Sequence, residues 1–145
     1  MDHDSAKASG MYRKDYILNE VEKLTLVIAR LIGLKSAGKA DEFIHLADST
    51  LLHEYKIHLE ELLELTTEGF KRTIEMENYS AGKLDALAQL LFLNSETFAV
   101  NPETLLALQK VLIIFDLLEQ KYHRQSFENI NKRNRIYEFM NNNYE

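Results

Sequence analysis

The stretch LLALQKVLIIFDLL, residues 105–118, puts apolar side chains on nearly every side of a helix. Such a segment has no face to offer to water, so other elements must surround it. It is introduced by NPET, the clearest helix start in the chain. Asn101 caps the first free amides, and Pro102 takes the first helical position, where its missing N–H costs nothing. Glu103 meets the positive end of the helix. A helix so introduced and so apolar is expected at the centre of the C-terminal half.

The remaining text supplies the helices that would surround it. Ile17, Val21, Leu24, Ile28 and Leu31 recur every three or four residues, one stripe of a first helix expected from Asp15, as its cap, to about Ala37. A second helix is expected from Lys39–Asp41 to Tyr55, with Phe43, Leu46, Ala47 and Leu51 inward. Short helices follow near His58–Leu65 and Glu68–Met76, with Thr67 as cap of the latter. ENYSAGK reads as a turn before a helix from Leu84 to Phe98. A last helix from Ser126 to Asn141 offers Phe127, Ile130, Tyr137 and Met140. No segment alternates with period two for long enough to form a convincing strand. Five glycines and one proline in 145 residues are few for a β-rich domain and sufficient for long helices. The expected fold is all-α: one domain over residues 11–145, built as a bundle of helical hairpins. Residues 1–10, MDHDSAKASG, read as a flexible leader or expression remnant, with Met11 as the natural start.

Composition closes off several functions. The chain has no cysteine, which removes disulfides, thiolate metal sites and cysteine nucleophiles. No apolar run approaches the ~18 residues of a membrane span, and the N-terminus lacks the pattern of a signal peptide. A cytoplasmic setting is the expectation. A net charge of −6 argues against a surface that coats nucleic acid or anionic lipid.

Four motifs suggest chemistry. GLKSAGKA (Gly33–Ala40) begins like a phosphate-binding P-loop, but the motif needs a hydroxyl after Gly-Lys to hold magnesium, and Ala40 stands there. It also follows a helix where a P-loop follows a strand, so Gly38 is expected to be a turn residue and Lys39 a solvated one. HEYKIH resembles a zinc-protease signature, yet His53 and His58 are five apart and diverge by ~140° on a helix. Glu42 and His45 form a single Glu-x-x-His unit where a di-iron bundle uses two. Glu54/His58 and Glu119/His123 suit ordinary surface pairing. No metal and no cofactor is expected.

The fourth is a basic C-terminal stretch: Lys121, Arg124, Lys132, Arg133 and Arg135, interleaved with Tyr122, Phe127 and Tyr137. Cations meeting phosphates and aromatics stacking on bases would make it a nucleic-acid contact. The aromatics also have core-like spacing. The acidic stretch Asp41–Glu68 gives a further use for the cations, as partners within the chain or in a second subunit.

SAGKADEFIHLA (Ser36–Ala47) recurs as SAGKLDALAQLL (Ser80–Leu91), 44 residues on, with six positions shared. Both read as turns entering a helix. The opening from Met11 resembles a family of small bacterial helical proteins with no assigned activity. Met11, Asp15, Tyr16, Ile17, Leu18, Gly33, Leu34, Lys35 and Gly38 carry the likeness. GKLDALAQLL and the helices after it resemble that family's C-terminal half, which is similar to tetratricopeptide-type hairpins. The resemblance spans most of Met11–Met140 and implies an all-α fold and a bacterial origin, with no active site. Phe43, His45 and His53 depart from an alanine-rich second helix, and the tryptophan and Leu-Gly positions of a true tetratricopeptide repeat are absent.

The function expected is a non-catalytic scaffold whose partner is a protein or a second copy of itself, with no membrane role. Leu26, Val27 and Leu34, outside the main stripe of the first helix, would serve a homodimer. The alternatives are a nucleic-acid accessory protein using Lys121–Arg135 and a metal or small-molecule enzyme using Glu42 and His45.

Overall fold

The computed structural model describes residues 2–144, with side chains from residue 15 onward; those of the expected leader lie outside the described residues. Seven helices and no strand are present among the described residues. They are α1 (Asp2–Ser36), α2 (Ala40–Tyr55), α3 (Leu59–Glu64), α4 (Thr67–Met76), α5 (Ala81–Ser95), α6 (Pro102–Gln120) and α7 (Phe127–Tyr144). None of them is long and apolar enough to cross a membrane.

The most extensive contact is α5 against α6. α1 and α2 pack as a hairpin, and α1 lies on α5, while α3, α4 and α7 lie on α6. Leu108, Val111, Ile114, Phe115 and Leu118 of α6 are buried, as are Leu84, Leu87, Ala88, Leu91 and Phe92 of α5. The apolar segment is therefore central, as its pattern requires. Asn101 caps α6 as expected, its side-chain oxygen accepting from the Thr104 amide at 2.8 Å.

Several local expectations are corrected. Asp15 lies inside α1 and is not its cap. Thr66, not Thr67, caps α4, accepting from the Gly69 amide at 3.0 Å. α5 begins at Ala81, because the Ser80 hydroxyl accepts from the Lys83 amide at 3.2 Å. It ends at Ser95, so Phe98 lies beyond the helix, yet its ring still packs on Phe92 and Phe139. Phe127 is 87% exposed and Tyr137 is exposed; the buried residue of α7 is Ile136. Of the three α1 residues assigned to a homodimer, Val27 and Leu34 pack against the core and only Leu26 remains exposed.

The repeated SAGK adopts two conformations. In the first copy α1 runs up to Ser36, and Gly38 turns the chain with φ +73°. The Gly38 amide donates to the Lys35 carbonyl and the Lys39 amide to that of Leu34, the bond pattern of a Schellman helix end. In the second copy Ser80 is a cap, and Ala81, Gly82 and Lys83 already belong to α5. Only the first is a turn.

Gly82 has a separate reason to be glycine. A Cβ placed there would lie 2.7 Å from Val21 Cγ2, so α1 and α5 approach more closely at this point than any side chain would allow. Gly33, by contrast, sits on α1 with nothing within 4 Å of such a Cβ. Gly82→Ala is expected to destabilise the protein by about 1–3 kcal/mol through forced separation of the helices. Gly33→Ala is expected to stabilise it by about 0.5–1 kcal/mol through helix propensity. Urea unfolding of the two variants beside the parent checks the opposite signs.

Candidate functional site

The five cations singled out in the C-terminal stretch do not form one basic face. Lys121 and Arg124 lie exposed between α6 and α7. Arg133 turns back to α6, donating to Asp116 at 2.7 Å and Glu119 at 3.0 Å, with its guanidinium 5.8 Å from the centre of the Phe115 ring. Burial alone would lower its pKa, but its bond to Asp116 and the charge of Glu119 hold it above the ordinary arginine value. Arg135 reaches α5, donating to Glu96 at 3.3 Å and stacking on Phe92 and Phe98. The carboxylates engaged are Asp116, Glu119 and Glu96, none of them from the acidic stretch Asp41–Glu68. Lys132 and Arg135 are brought together over the Phe92 ring, at 5.6 and 5.1 Å from its centre.

That meeting point forms one wall of a cavity of about 330 Å³ between α1, α5 and α7. Ile28, Ile32, Lys35 and Ser36 come from α1, Gln89, Phe92 and Leu93 from α5, Glu96 from just beyond it, and Lys132 from α7. Lys35 is the residue that sequence reasoning missed. Its ammonium donates to the carbonyls of Leu93 and Glu96, closing the end of α5, and lies 5.3 Å from the centre of the Phe43 ring. Burial lowers its pKa, with the charge of Glu96 opposing. The signal was present: Lys35 falls four residues after Leu31, the next step of the buried stripe of α1. The stretch that imitates a P-loop thus contributes a half-buried ammonium through Lys35, whereas Lys39 is exposed and only loosely paired with Glu42 at 3.8 Å.

A larger, more polar cleft of about 580 Å³ lies on another side, lined by Tyr16, Glu20, Glu54, Tyr79, Lys83 and Tyr122 among others. Four of its five charged side chains, all but Glu77, are already engaged. Lys83 pairs with Glu20 and sits 5.4 and 5.1 Å from the ring centres of Tyr55 and Tyr79. Lys23 pairs with Glu54 at 2.9 Å. The Tyr55 hydroxyl donates to the Lys83 carbonyl at 2.7 Å, and that of Tyr122 to the Tyr79 carbonyl at 3.1 Å. Burial, assisted by Glu77 and Glu20, pushes the Tyr79 pKa up to about 12; burial drives that of Tyr55 higher still. Both phenols stay protonated at neutral pH and act as donors. The cleft is a structural lock joining α1 to the start of α5.

The histidines stay apart. α2 ends where Lys56 adopts a left-handed conformation, φ 58°, so His53 and His58 do not share a helix. Glu42 and His45 are exposed on α2, and no group of three metal-ligating side chains gathers among the described residues. Compared with protein-family models, curated proteins and solved structures, the chain matches none.

A more deeply buried lysine stands in α6. Lys110 is 3% exposed; it donates to the Leu63 carbonyl at 3.1 Å, capping the end of α3, and lies 5.8 Å from the Phe70 ring centre. Burial lowers its pKa below the ordinary 10.5. The unfolded chain therefore binds more protons than the native one in the window below pH 10.5, and this residue's contribution to stability rises with pH there. Lys110→Met removes that contribution. The parent is expected to gain stability relative to the variant as pH climbs from 7 toward 10.5, read from urea midpoints at several pH values. Parallel curves would show that Lys110 titrates alike in both states.

Proposed function

We propose that this chain is a non-catalytic helical scaffold that works by binding protein, in the first instance a second copy of itself. The observation that carries this reading is the outward face of α1, opposite the buried Leu24 and Leu31. Leu18 there is 58% exposed and Leu26 72% exposed, large apolar side chains where a solvated helix normally carries polar ones. Glu22 and Arg30 flank Leu26, four residues to either side, and neither forms an ion pair among the described residues. An antiparallel pairing of two α1 helices about a two-fold axis at Leu26 sets each Glu22 opposite the other copy's Arg30, a self-complementary arrangement. The resemblance to bacterial helical proteins and a cytoplasmic setting belong to the same reading.

The alternative as a nucleic-acid accessory is weakened by the commitment of Arg133 and Arg135 to Asp116, Glu119 and Glu96. Light scattering over a wide concentration range is the direct test, with a dimer expected and a clean monomer throughout overturning the proposal. Leu26→Glu is expected to abolish association. Glu22→Arg is expected to weaken it by about tenfold, and the added Arg30→Glu to restore it. Because the parent has no cysteine, Leu26→Cys offers a further readout, a symmetric disulfide formed on mild oxidation.

A further inference from the structure

We propose that the cavity between α1, α5 and α7 binds a small amphipathic carboxylate, with its apolar tail on Ile28, Ile32 and Phe92 and its headgroup on the ammonium of Lys132.

Size and surface come first. A volume of about 330 Å³ lies at the small end of the range, ~300–1,000 Å³, typical of ligand pockets. Its floor is the three residues named above together with Leu93, which suits an acyl or arylalkyl chain. A nucleotide is a poor match. Its phosphates call for several converging donors, and beside the apolar floor the cavity offers the ammonium of Lys132 and the Ser36 hydroxyl, the Lys35 ammonium being engaged by carbonyls.

Charge selects the headgroup. The chain carries a net −6, yet this cavity is lined by two lysines against one carboxylate. That carboxylate, Glu96, is held by Arg135 at 3.3 Å. The ammonium of Lys35 is engaged by two backbone carbonyls. Lys132, by contrast, forms no ion pair among the described residues. It stands over Phe92, at the edge of the apolar floor, where a carboxylate at the end of a bound chain would arrive. Desolvation by that chain strengthens the resulting charge-assisted bond, and Lys35 adds its field from the opposite wall.

Three probes with one eight-carbon tail separate the contributions: octanoate, octan-1-ol and octylammonium, titrated by calorimetry and by amide shifts. Octanoate is expected to bind saturably at one site, with shifts at Ile32–Ser36, Leu93 and Lys132. Octan-1-ol is expected to bind at least about tenfold more weakly, and octylammonium not measurably. Lys132→Glu, with an unchanged helical circular-dichroism spectrum, is expected to weaken octanoate at least about tenfold, while Lys132→Arg retains it. Lys132→Gln gives the same reading if the charge reversal fails to fold. Equal affinity for the three headgroups, undiminished binding to the Lys132 variants, or no saturable octanoate binding would each overturn the proposal. The binding is expected to persist in Leu26→Glu, so its outcome is independent of whether α1 self-associates.

Discussion

Two helices with apolar residues on most sides cannot remain in water singly, and the burial of α5 against α6 is what the remaining structure depends on. Their contact is the largest among the described residues, and α5 contributes seven and α6 six side chains to the hydrophobic core. Everything else covers what that pair leaves open. α1 and its hairpin partner α2 cover one side through α5; α3, α4 and α7 cover the others through α6. Each covering helix needs only one buried stripe, which is why α7 holds its place with a single fully buried residue, Ile136.

Apolar burial is non-directional, so it leaves the covering helices free to slide. The polar contacts that stop them share a chemistry. A cation from one helix reaches the carbonyls or carboxylates of another, beside an aromatic ring. Lys35 ties α1 to the end of α5, and Lys83 ties α5 to Glu20 of α1. Lys110 ties α6 to the end of α3, while Arg133 and Arg135 tie α7 to α6 and to the turn after α5. Each lies within 6 Å of an aromatic ring centre. Five basic residues thus serve as fasteners, and Lys132 stands out because it lines a cavity while its neighbours Arg133 and Arg135 are so engaged.

How much of this could be read in advance differs between core and site. The helix after NPET, its cap and its central position followed from residues adjacent in the chain, and so did the stripe through Leu24 and Leu31. Errors of one to three residues arose at caps where two candidates stood side by side, as with Thr66 and Thr67, because the choice depends on which hydroxyl meets the Gly69 amide. The basic stretch was legible as composition and misleading as a surface. Whether Arg133 faces solvent or Asp116 depends on how α7 lies against α6, and nothing in the spacing of Lys132, Arg133 and Arg135 states that.

The sequence by itself determined the class of fold. Helical periodicity, capping and an all-round apolar segment act over a few residues and admit one kind of answer. Tertiary structure decided what identical words mean. Ser-Ala-Gly-Lys closes α1 at one site and opens α5 at the other: in the first, the helix arriving from upstream needs its last carbonyls satisfied, and in the second, the helix leaving downstream needs its first amides satisfied. The same rule governs the lysines. A Lys on a helix reads as solvated until another helix presents it with a carbonyl and a ring, and only long-range packing supplies those.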